Sequence, residues 1–389
     1  MFYAILFSLC MGLYGYVFNG RHDLHIDIVH IYNHYEMMRN MDFIEAVPFF
    51  VLRGDLSLLT LWLLSLTGAN AQIVGFFVSF MLSFSIVFVF DKWMLLVNIR
   101  NRNNLFLMGV AMYLFTIHPM SISGVRTPIA FSLYILGFIS YFCNNKKSSF
   151  LFFALSIANH FSMLFIVILF IISISFERNK IRNISLILAF SFFLFKPLMF
   201  FLMNFLSSCG VVGLLLASKV NYYVFEELSE GEVRITTGSN IWLMQYIAIE
   251  MILLFIELLP PVRKYIKNNN ILYHLEIWIW LLASFVIFNI TNITMFARFT
   301  TVLIFFSSLF LMSIVGLAKS NKLNIVFQSL FVLIVCIAGV ALLKEKAAIP
   351  EYQVAYQNVP ELLYNNLFQL LKIDVNYINV EYQNFIEIE

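Results

Sequence analysis

The chain is built from long apolar runs separated by short polar segments. The runs are about 15–25 residues long, which is enough to cross about 30 Å of hydrocarbon at about 1.5 Å per helical residue. Apolar residues make up 61% of the sequence and charged residues only 12%, and this composition excludes an ordinary soluble domain. The sequence therefore predicts an all-α polytopic integral membrane protein.

Lysines and arginines form small clusters between the apolar runs. Short basic loops stay in the cytoplasm during membrane insertion, so the clusters predict the topology. The clusters are Lys92/Arg100/Arg102, Lys146/Lys147, Arg178/Lys180/Arg182, Arg263/Lys264/Lys267 and Lys319/Lys322. With the clusters and the N-terminus inside, we predict about eleven transmembrane helices, within a range of about 10 to 12. They lie at about 1–18, 71–90, 105–118, 128–143, 148–160, 161–176, 184–206, 241–259, 272–290, 299–316 and 323–343.

This topology gives one transmembrane domain, residues 1–343, with extracytoplasmic loops at 19–70 and 210–240 and an extracytoplasmic tail at 344–389. The apolar segment 54–67 is only about 14 residues long, short of the length of a full crossing. Counting it as a crossing would also place Arg100 and Arg102 outside. We therefore predict an interfacial or re-entrant helix there.

Two stretches are flanked by basic clusters at both ends, so each must turn back within the membrane. The first, 105–143, turns between His118-Pro119 and Thr127-Pro128, and Arg126 lies in this turn. The second, 148–176, forms a hairpin whose arms have about 14 residues, or about 21 Å each. Its tip, 159–162, would lie below the outer headgroups, where non-helical backbone is tolerated only around a cavity.

Three ionisable residues, Arg126, His160 and Arg298, fall at the outer ends of predicted helices. Ionisable groups at membrane depth are costly, and their presence there usually indicates function. Two arginines facing one cavity could hold a pyrophosphate through bidentate bonds. His160 could take a proton from a sugar hydroxyl. The alternative is that the arginines reach lipid phosphate at the interface and His160 is a packing residue.

The segment GRHDLHIDIVHIYNHYE at 20–36 is rich in histidine, aspartate and tyrosine. One interpretation is a sugar- or phosphate-binding segment in the outer loop. Its binding residues would be Arg21, Asp23, Asp27 and Tyr32, with Arg53 joining the same site. His30 and His34 are one helical turn apart and could ligate a metal, but no HExxH or paired-carboxylate motif accompanies them. A plain surface loop is the third interpretation.

Four segments of this sequence resemble the Wzy-type polysaccharide polymerases of the EpsG-like branch. GRHDLHIDIVHIY resembles the Arg, Asp and Tyr of that family's first outer segment, here Arg21, Asp27 and Tyr32. GVRTPIAFSLYILGFISYF resembles its arginine hairpin and contains Arg126, and FALSIANHFSMLFIVILF resembles its A-x-x-x-H-x-S turn and contains His160 and Ser162. FARFTTVLIFFSSLFL resembles a later arginine-led span, with Arg298.

The resemblance implies a membrane glycosyltransferase of GT-C-like architecture in the bacterial inner (plasma) membrane, with its active site facing the periplasm or outside. Such an enzyme transfers a growing O-antigen or capsule glycan from undecaprenyl diphosphate onto the next lipid-linked repeat unit. Arg126 and Arg298 would hold the diphosphate and stabilise its developing charge. His160 would be the base for the acceptor hydroxyl or would orient it, and Ser162 would join the substrate-binding residues. No metal or other cofactor is then needed.

Two alternatives remain open at this stage. An O-antigen ligase would use the same leaving group with another acceptor. A flippase or transporter for the same lipid-linked glycan would need alternating access, which usually comes with an internal repeat; the sequence has no such repeat, although Glu250, Glu257, Glu276 and Lys196 could form a proton path. The expected partners are the undecaprenyl-diphosphate-linked oligosaccharide and the lipid bilayer. A chain-length regulator protein is a candidate partner, and no nucleic acid is expected.

Overall fold

The computed structural model of the protein describes residues 2–17, 27–47, 56–99, 109–110, 125–221, 247, 259–290, 292–317, 325–326, 328–329 and 332–333. All regular secondary structure in these ranges is helical, as the apolar runs predict. The helices are α1 Phe2–Val17, α2 Asp27–Arg39, α3 Leu56–Ser65, α4 Ile73–Leu96, α5 Arg126–Phe142, α6 Lys146–Asn159, α7 Met163–Ser175, α8 Arg178–Phe190, α9 Phe195–Ser207, α10 Gly210–Asn221, α11 Pro260–Lys267, α12 Asn270–Phe288 and α13 Ile293–Leu317.

Within the described ranges, three helices are long and apolar enough to cross a membrane. They are α4, α12 and the Arg298–Leu317 part of α13. The helices at the other predicted crossings have fewer than 18 residues or fall wholly or partly outside the described residues. The predicted loops also contain helices, because α2 and α3 lie within 19–70 and α10 lies within 210–240.

The segment 184–206 is predicted as one continuous helix, but the structure breaks it. Helix α8 ends at Phe190, a 3₁₀ turn follows at Phe192–Leu194, and α9 starts at an angle of 61° to α8. Pro197 lies in the first turn of α9. Proline has no N–H to donate to the carbonyl four residues earlier, which here belongs to residue 193, and its ring clashes with that carbonyl. A straight helix therefore cannot continue through this point.

Helices α4, α5 and α13 run in the same direction and share two layers of side chains. Phe305 lies 5.5 Å from Phe90 and 5.4 Å from Phe131 between ring centroids. Further along all three helices, Trp93 contacts Phe142 at 5.6 Å and donates from Nε1 to Ser313 Oγ at 2.8 Å. The order of the layers is the same on each helix, so the first residues of α4, α5 and α13 lie at one end of the helical cluster.

The closest approach of helix α1 to α4 is made through glycines. A Cβ placed on Gly15 would overlap the carbonyl oxygen of Gly75, and one on Gly75 would overlap that of Gly15. Small residues allow helix backbones to approach this closely, which is how helices commonly associate in membranes. The position of α1 therefore depends on the absence of side chains at these two residues.

Helices α2 and α3 form a second, smaller apolar cluster with the starts of α4 and α5. Tyr35 and Leu61 are fully buried in it beside Val74 of α4 and Val125 and Ile129 at the start of α5. The hydroxyl of Tyr35 donates to the carbonyl of Ala69 at 2.7 Å, tying α2 to the α3–α4 connection. Both helices thus cover the end of the helical cluster at which α4, α5 and α13 begin.

Candidate functional site

The predicted hairpin at 148–176 is present in the structure. Helix α6 ends at Asn159 and α7 begins at Met163, so residues 160–162 form a non-helical tip. The rings of Phe153 and Phe170 lie 5.6 Å apart and are nearly equidistant from the tip, as expected for antiparallel arms. With 14 and 13 residues, the arms span only about 21 Å at about 1.5 Å per residue.

His160 at this tip is buried and is held by Ser162. Only 7% of His160 is exposed. The hydroxyl oxygen of Ser162 lies 2.7 Å from His160 Nδ1, and the backbone nitrogen of Ser162 lies 3.3 Å from the same atom. Ser162 precedes the first residue of α7, where serine usually caps a helix, but its side chain makes no capping bond. The Ser162 hydroxyl contacts the ring of His160 instead.

Asn159, next to His160, is a polar residue that the sequence did not single out. It is 4% exposed, and its Nδ2 donates to the carbonyl of Leu155 at 2.8 Å. Because this carbonyl can only accept, the bond also settles which amide atom is Oδ1. Oδ1 is buried and has no hydrogen-bond partner among the described residues. The sequence did contain a signal for Asn159, because it is a polar residue at the end of an apolar helix and next to a histidine.

Arg126 is the first residue of α5 and lies at the same end as the hairpin tip. The hydroxyl of Ser156 donates to the carbonyl of Ala130 at 2.6 Å, joining α6 to α5. Ser156 is one turn before His160, and Ala130 is one turn after Arg126. The prediction placed Arg126 within a turn, whereas the structure makes it the start of a helix, with its side chain half-buried.

Arg298 lies in the first two turns of α13 at this same end of the helical cluster. Its side chain is half-buried, and its Nη1 atom is inaccessible to solvent. The next residue, Phe299, packs on Phe285 with 4.9 Å between ring centroids, and Phe285 lies 6.2 Å from Phe165 near the hairpin tip. These ring contacts connect the start of α13 to the tip of the α6–α7 hairpin through the end of α12.

The two arginines are also at similar depth. Arg126 precedes Phe131 by about 7.5 Å and Arg298 precedes Phe305 by about 10.5 Å along their helices, at about 1.5 Å per residue. Phe131 and Phe305 are in direct edge-to-face contact. Arg126 and Arg298 therefore lie at the same end of two parallel helices.

Tyr32 is brought to the start of α5 by the smaller apolar cluster. It is 6% exposed and shares the cluster with Val125 and Ile129, which flank Arg126. Its hydroxyl is buried, with no hydrogen-bond partner among the described residues. Burial raises the pKa of the Tyr32 phenol well above its ordinary value, so the group remains an O–H donor at neutral pH.

Other predicted site residues fall outside what the structure describes. Arg21, Asp23 and Arg53 lie outside the described residues, and Asp27 is described only as the first residue of α2. Within the described ranges, no group of three or more histidine, cysteine, aspartate or glutamate side chains is arranged to hold a metal ion.

The opposite end of the helical cluster contains a partly buried ion pair that the sequence did not reveal. Arg178 Nη2 at the start of α8 lies 2.8 Å from Glu276 Oε1 on α12. The guanidinium also lies over the rings of Tyr273 and Trp280, at 5.7 and 5.5 Å from their centroids. The glutamate side chain is 4% exposed and that of the arginine 37%. The charge pattern assigned Arg178 only to a cytoplasmic cluster.

Long apolar helices with a polar, partly buried site at one end define a membrane-embedded helical protein. A family model for the EpsG family matches residues 2–358 of the chain. The protein therefore belongs to the EpsG family, which confirms the resemblance found in its sequence motifs. Membership indicates a membrane protein of polysaccharide biosynthesis. Searches of the curated proteins and of the solved structures gave no match.

Proposed function

We propose that the protein is a polysaccharide polymerase. It transfers a growing glycan from undecaprenyl diphosphate onto the next lipid-linked repeat unit, at the outer face of a bacterial inner membrane. The observation that carries this proposal is the convergence of Arg126, His160 and Arg298 from three separate parts of the chain onto one end of the helical cluster. Membership of the EpsG family supports the substrate class.

The arginines suit the donor half of this reaction. Guanidinium groups keep their charge in any protein environment and form bidentate bonds to phosphate oxygens. As the bond between the anomeric carbon and the diphosphate oxygen breaks, its electron pair stays on the diphosphate. Arg126 and Arg298 would stabilise that negative charge more strongly in the transition state than in the ground state, which is the requirement for catalysis. The step needs no divalent metal.

The hairpin tip and helix α2 provide polar groups that are suited to binding the sugars. The acceptor hydroxyl attacks the anomeric carbon of the growing chain, forming the new glycosidic bond as the old one breaks. Asn159 Oδ1 and the Tyr32 hydroxyl are buried and offer an acceptor and a donor for sugar hydroxyls. Asp27, Ser162 and, beyond the described residues, Arg21, Asp23 and Arg53 complete the proposed binding set.

The proposal includes the topology from which the outer face was deduced. About eleven transmembrane helices, a cytoplasmic N-terminus and an outer C-terminal tail place the arginine and histidine end outside, where basic clusters are scarce. In this arrangement, α2 and α3 are extracytoplasmic and cover the substrate site. A chain-length regulator protein would act on the same outer face.

Chain-length analysis of the surface glycan tests the proposal. A deletion strain is complemented with the wild-type gene or with Arg126→Ala, and Arg39→Ala serves as the control because Arg39 is an exposed outer arginine of α2. We expect a ladder from the wild type and from Arg39→Ala, and single repeat units from Arg126→Ala. Absence of all surface repeat units in the deletion strain, with lipid-linked units accumulating inside, would indicate a flippase. Accumulation of unattached long polymer would indicate a ligase.

A further inference from the structure

Two basic helices, α8 and α11, meet on α12 at the end of the helical cluster opposite the candidate site. Arg178 of α8 bonds to Glu276 of α12 at 2.8 Å, and Arg263 of α11 interacts electrostatically with the same carboxylate. Helix α11 packs into the core through Val262 and Ile266, which are buried, and its cations are exposed. Although the two basic clusters are far apart in the sequence, they form one surface, which we call the basic surface.

The basic surface carries more positive charge than its carboxylates neutralise. Residues 177–182 and 260–267 together with Glu276 contain six lysines and arginines but only two glutamates. The cations are Arg178, Lys180, Arg182, Arg263, Lys264 and Lys267. Those in the first turn of α8 oppose the dipole of that helix, so helix stability does not account for them. The excess of positive charge makes this surface attractive to anions.

Exposed apolar side chains adjoin the basic surface along α8. Arg182, Leu186 and Phe190 are all exposed and follow one another at four-residue spacing, so they form a stripe along the helix. Leu186 and Phe190 lie about 6 and 12 Å from Arg182 along the axis, at about 1.5 Å per residue. Phe176, just before α8, is also exposed. The stripe suits a ligand with an anionic headgroup and a long apolar chain, whereas a soluble polyanion would gain nothing from its apolar part.

We propose that the basic surface binds the phosphate of an anionic phospholipid headgroup, and that an acyl chain of this lipid lies along Leu186 and Phe190. Guanidinium groups form bidentate bonds to phosphate, and lysines add further positive charge. Basic pockets between membrane helices on the cytoplasmic side are typical sites for anionic headgroups, and the proposed topology places the basic surface in that leaflet. The phospholipid is not a substrate, because it binds at the end away from Arg126 and Arg298. It holds α8 and α11 against α12.

Titration of the detergent-purified full-length protein with defined lipids tests the proposal, because a ligand of the folded state raises the thermal midpoint. Phosphatidylglycerol is compared with phosphatidylcholine of the same acyl chains. We expect phosphatidylglycerol to act at about tenfold lower concentration or less, and high salt to reduce this difference. Equal effects of the two lipids would overturn the proposal. So would an equal effect of sn-glycerol 3-phosphate, which would identify a site for soluble anions.

Substitution of exposed cations locates the site without breaking the ion pair of Arg178. Lys180→Gln/Arg182→Gln should weaken phosphatidylglycerol binding about 25-fold, or about fivefold for each cation removed, and leave phosphatidylcholine binding unchanged. Arg39→Gln is the control, because it removes an exposed cation from the opposite end of the helical cluster, and its affinity for phosphatidylglycerol should equal that of the wild type. Wild-type affinity in the double variant would refute the proposal.

A variant with the opposite expected effect keeps the test decisive if the double variant folds poorly. Glu177 is exposed and precedes Arg178 directly, so its carboxylate repels an anionic headgroup. Glu177→Gln should strengthen phosphatidylglycerol binding about two- to fivefold. Unchanged or weaker binding in this variant would contradict the proposal. The assay contains no glycan, so its outcome does not depend on the proposed reaction, whose failure appears separately as a wild-type gene that does not restore the ladder.

Discussion

Arginine lies at both ends of the helical cluster, but the polar contacts around it differ. We call the two ends inner and outer, after the topology that we propose. At the inner end, Arg178 is matched by the buried carboxylate of Glu276 and by two aromatic rings. At the outer end, the described bonds near Arg126 and Arg298 join neutral groups: Ser162 with His160, Asn159 with the carbonyl of Leu155, and Ser156 with the carbonyl of Ala130.

The comparison separates two kinds of polar contact in this protein. An ion pair between α8 and α12 is satisfied by the protein itself and holds two helices together. The outer end contains buried polar atoms without described partners, Asn159 Oδ1 and the Tyr32 hydroxyl, which a polar substrate could satisfy. Breaking the inner pair should therefore cost stability, and altering the outer residues should cost activity.

The largest effect is expected from the outer arginines. Arg126→Ala and Arg298→Ala should each lower polymer formation about 10²–10³-fold, because each removes a donor to the charge that develops on the leaving group. Lysine at either position should also be poor, since a point charge does not replace the bidentate fork. The measurement is the glycan ladder, normalised to the protein level in the membrane. Normal polymer from both alanine variants would refute the diphosphate site.

The inner ion pair should show the opposite behaviour. Arg178→Met leaves the buried carboxylate of Glu276 without its partner at 2.8 Å. Breaking a fully buried pair typically costs about 3–5 kcal/mol, and we expect a smaller cost here because 37% of the arginine side chain is exposed. We expect a lower thermal midpoint of the detergent-purified protein, with normal transfer by the protein that remains folded. The double variant Arg178→Met/Glu276→Leu should recover much of the loss, because apolar replacement removes the stranded charge.

The exposed pair Glu36–Arg39, at 3.7 Å with about 40% of each side chain exposed, is the control for this measurement. Glu36→Ala should change the midpoint very little, since surface pairs contribute about 0–1 kcal/mol. An equal shift in Glu36→Ala and Arg178→Met would show that burial of Glu276 does not matter.

Two tyrosines of α2 allow a sharper version of the same comparison. Tyr32→Phe removes a buried hydroxyl that has no described partner, so stability should stay the same or rise. Polymer formation should fall about two- to tenfold, the effect of one hydrogen bond of about 0.5–1.5 kcal/mol. Tyr35→Phe removes a 2.7 Å bond to the carbonyl of Ala69 and should lower stability while leaving the transfer rate per folded molecule unchanged. Thermal midpoints and glycan ladders of both variants test whether Tyr32→Phe mainly lowers activity and Tyr35→Phe mainly lowers stability.

The smallest effect is expected at Ser156. Its hydroxyl donates to the carbonyl of Ala130 and joins the hairpin to α5 near the site. Ser156→Ala should cost about 1 kcal/mol of stability, the typical net value of one such bond, with a slight loss of polymer. A loss of polymer as large as that of Arg126→Ala, at unchanged stability, would mean that Ser156 touches the substrate.

Several parts of the site were predictable from sequence because they are local. The α6–α7 hairpin follows from basic clusters at both ends of a stretch too short for two full crossings, and its tip falls where the pattern placed it. The bend between α8 and α9 was missed, although Pro197 was a local signal. The role of Glu276 was not readable, because its partner Arg178 is 98 positions away in the chain.

The sequence by itself determined that this protein is a helical membrane protein of the EpsG family. Long apolar runs leave helices as the structure that satisfies the backbone within lipid, and the motifs around Arg126, His160 and Arg298 are read along the chain. Only the tertiary structure decided that the Ser162 hydroxyl lies 2.7 Å from His160 Nδ1, that Asn159 Oδ1 and the Tyr32 hydroxyl are buried, and that Arg178 pairs with Glu276. Those outcomes depend on distances between atoms and on exclusion of solvent, which arise from helix packing rather than from the order of residues.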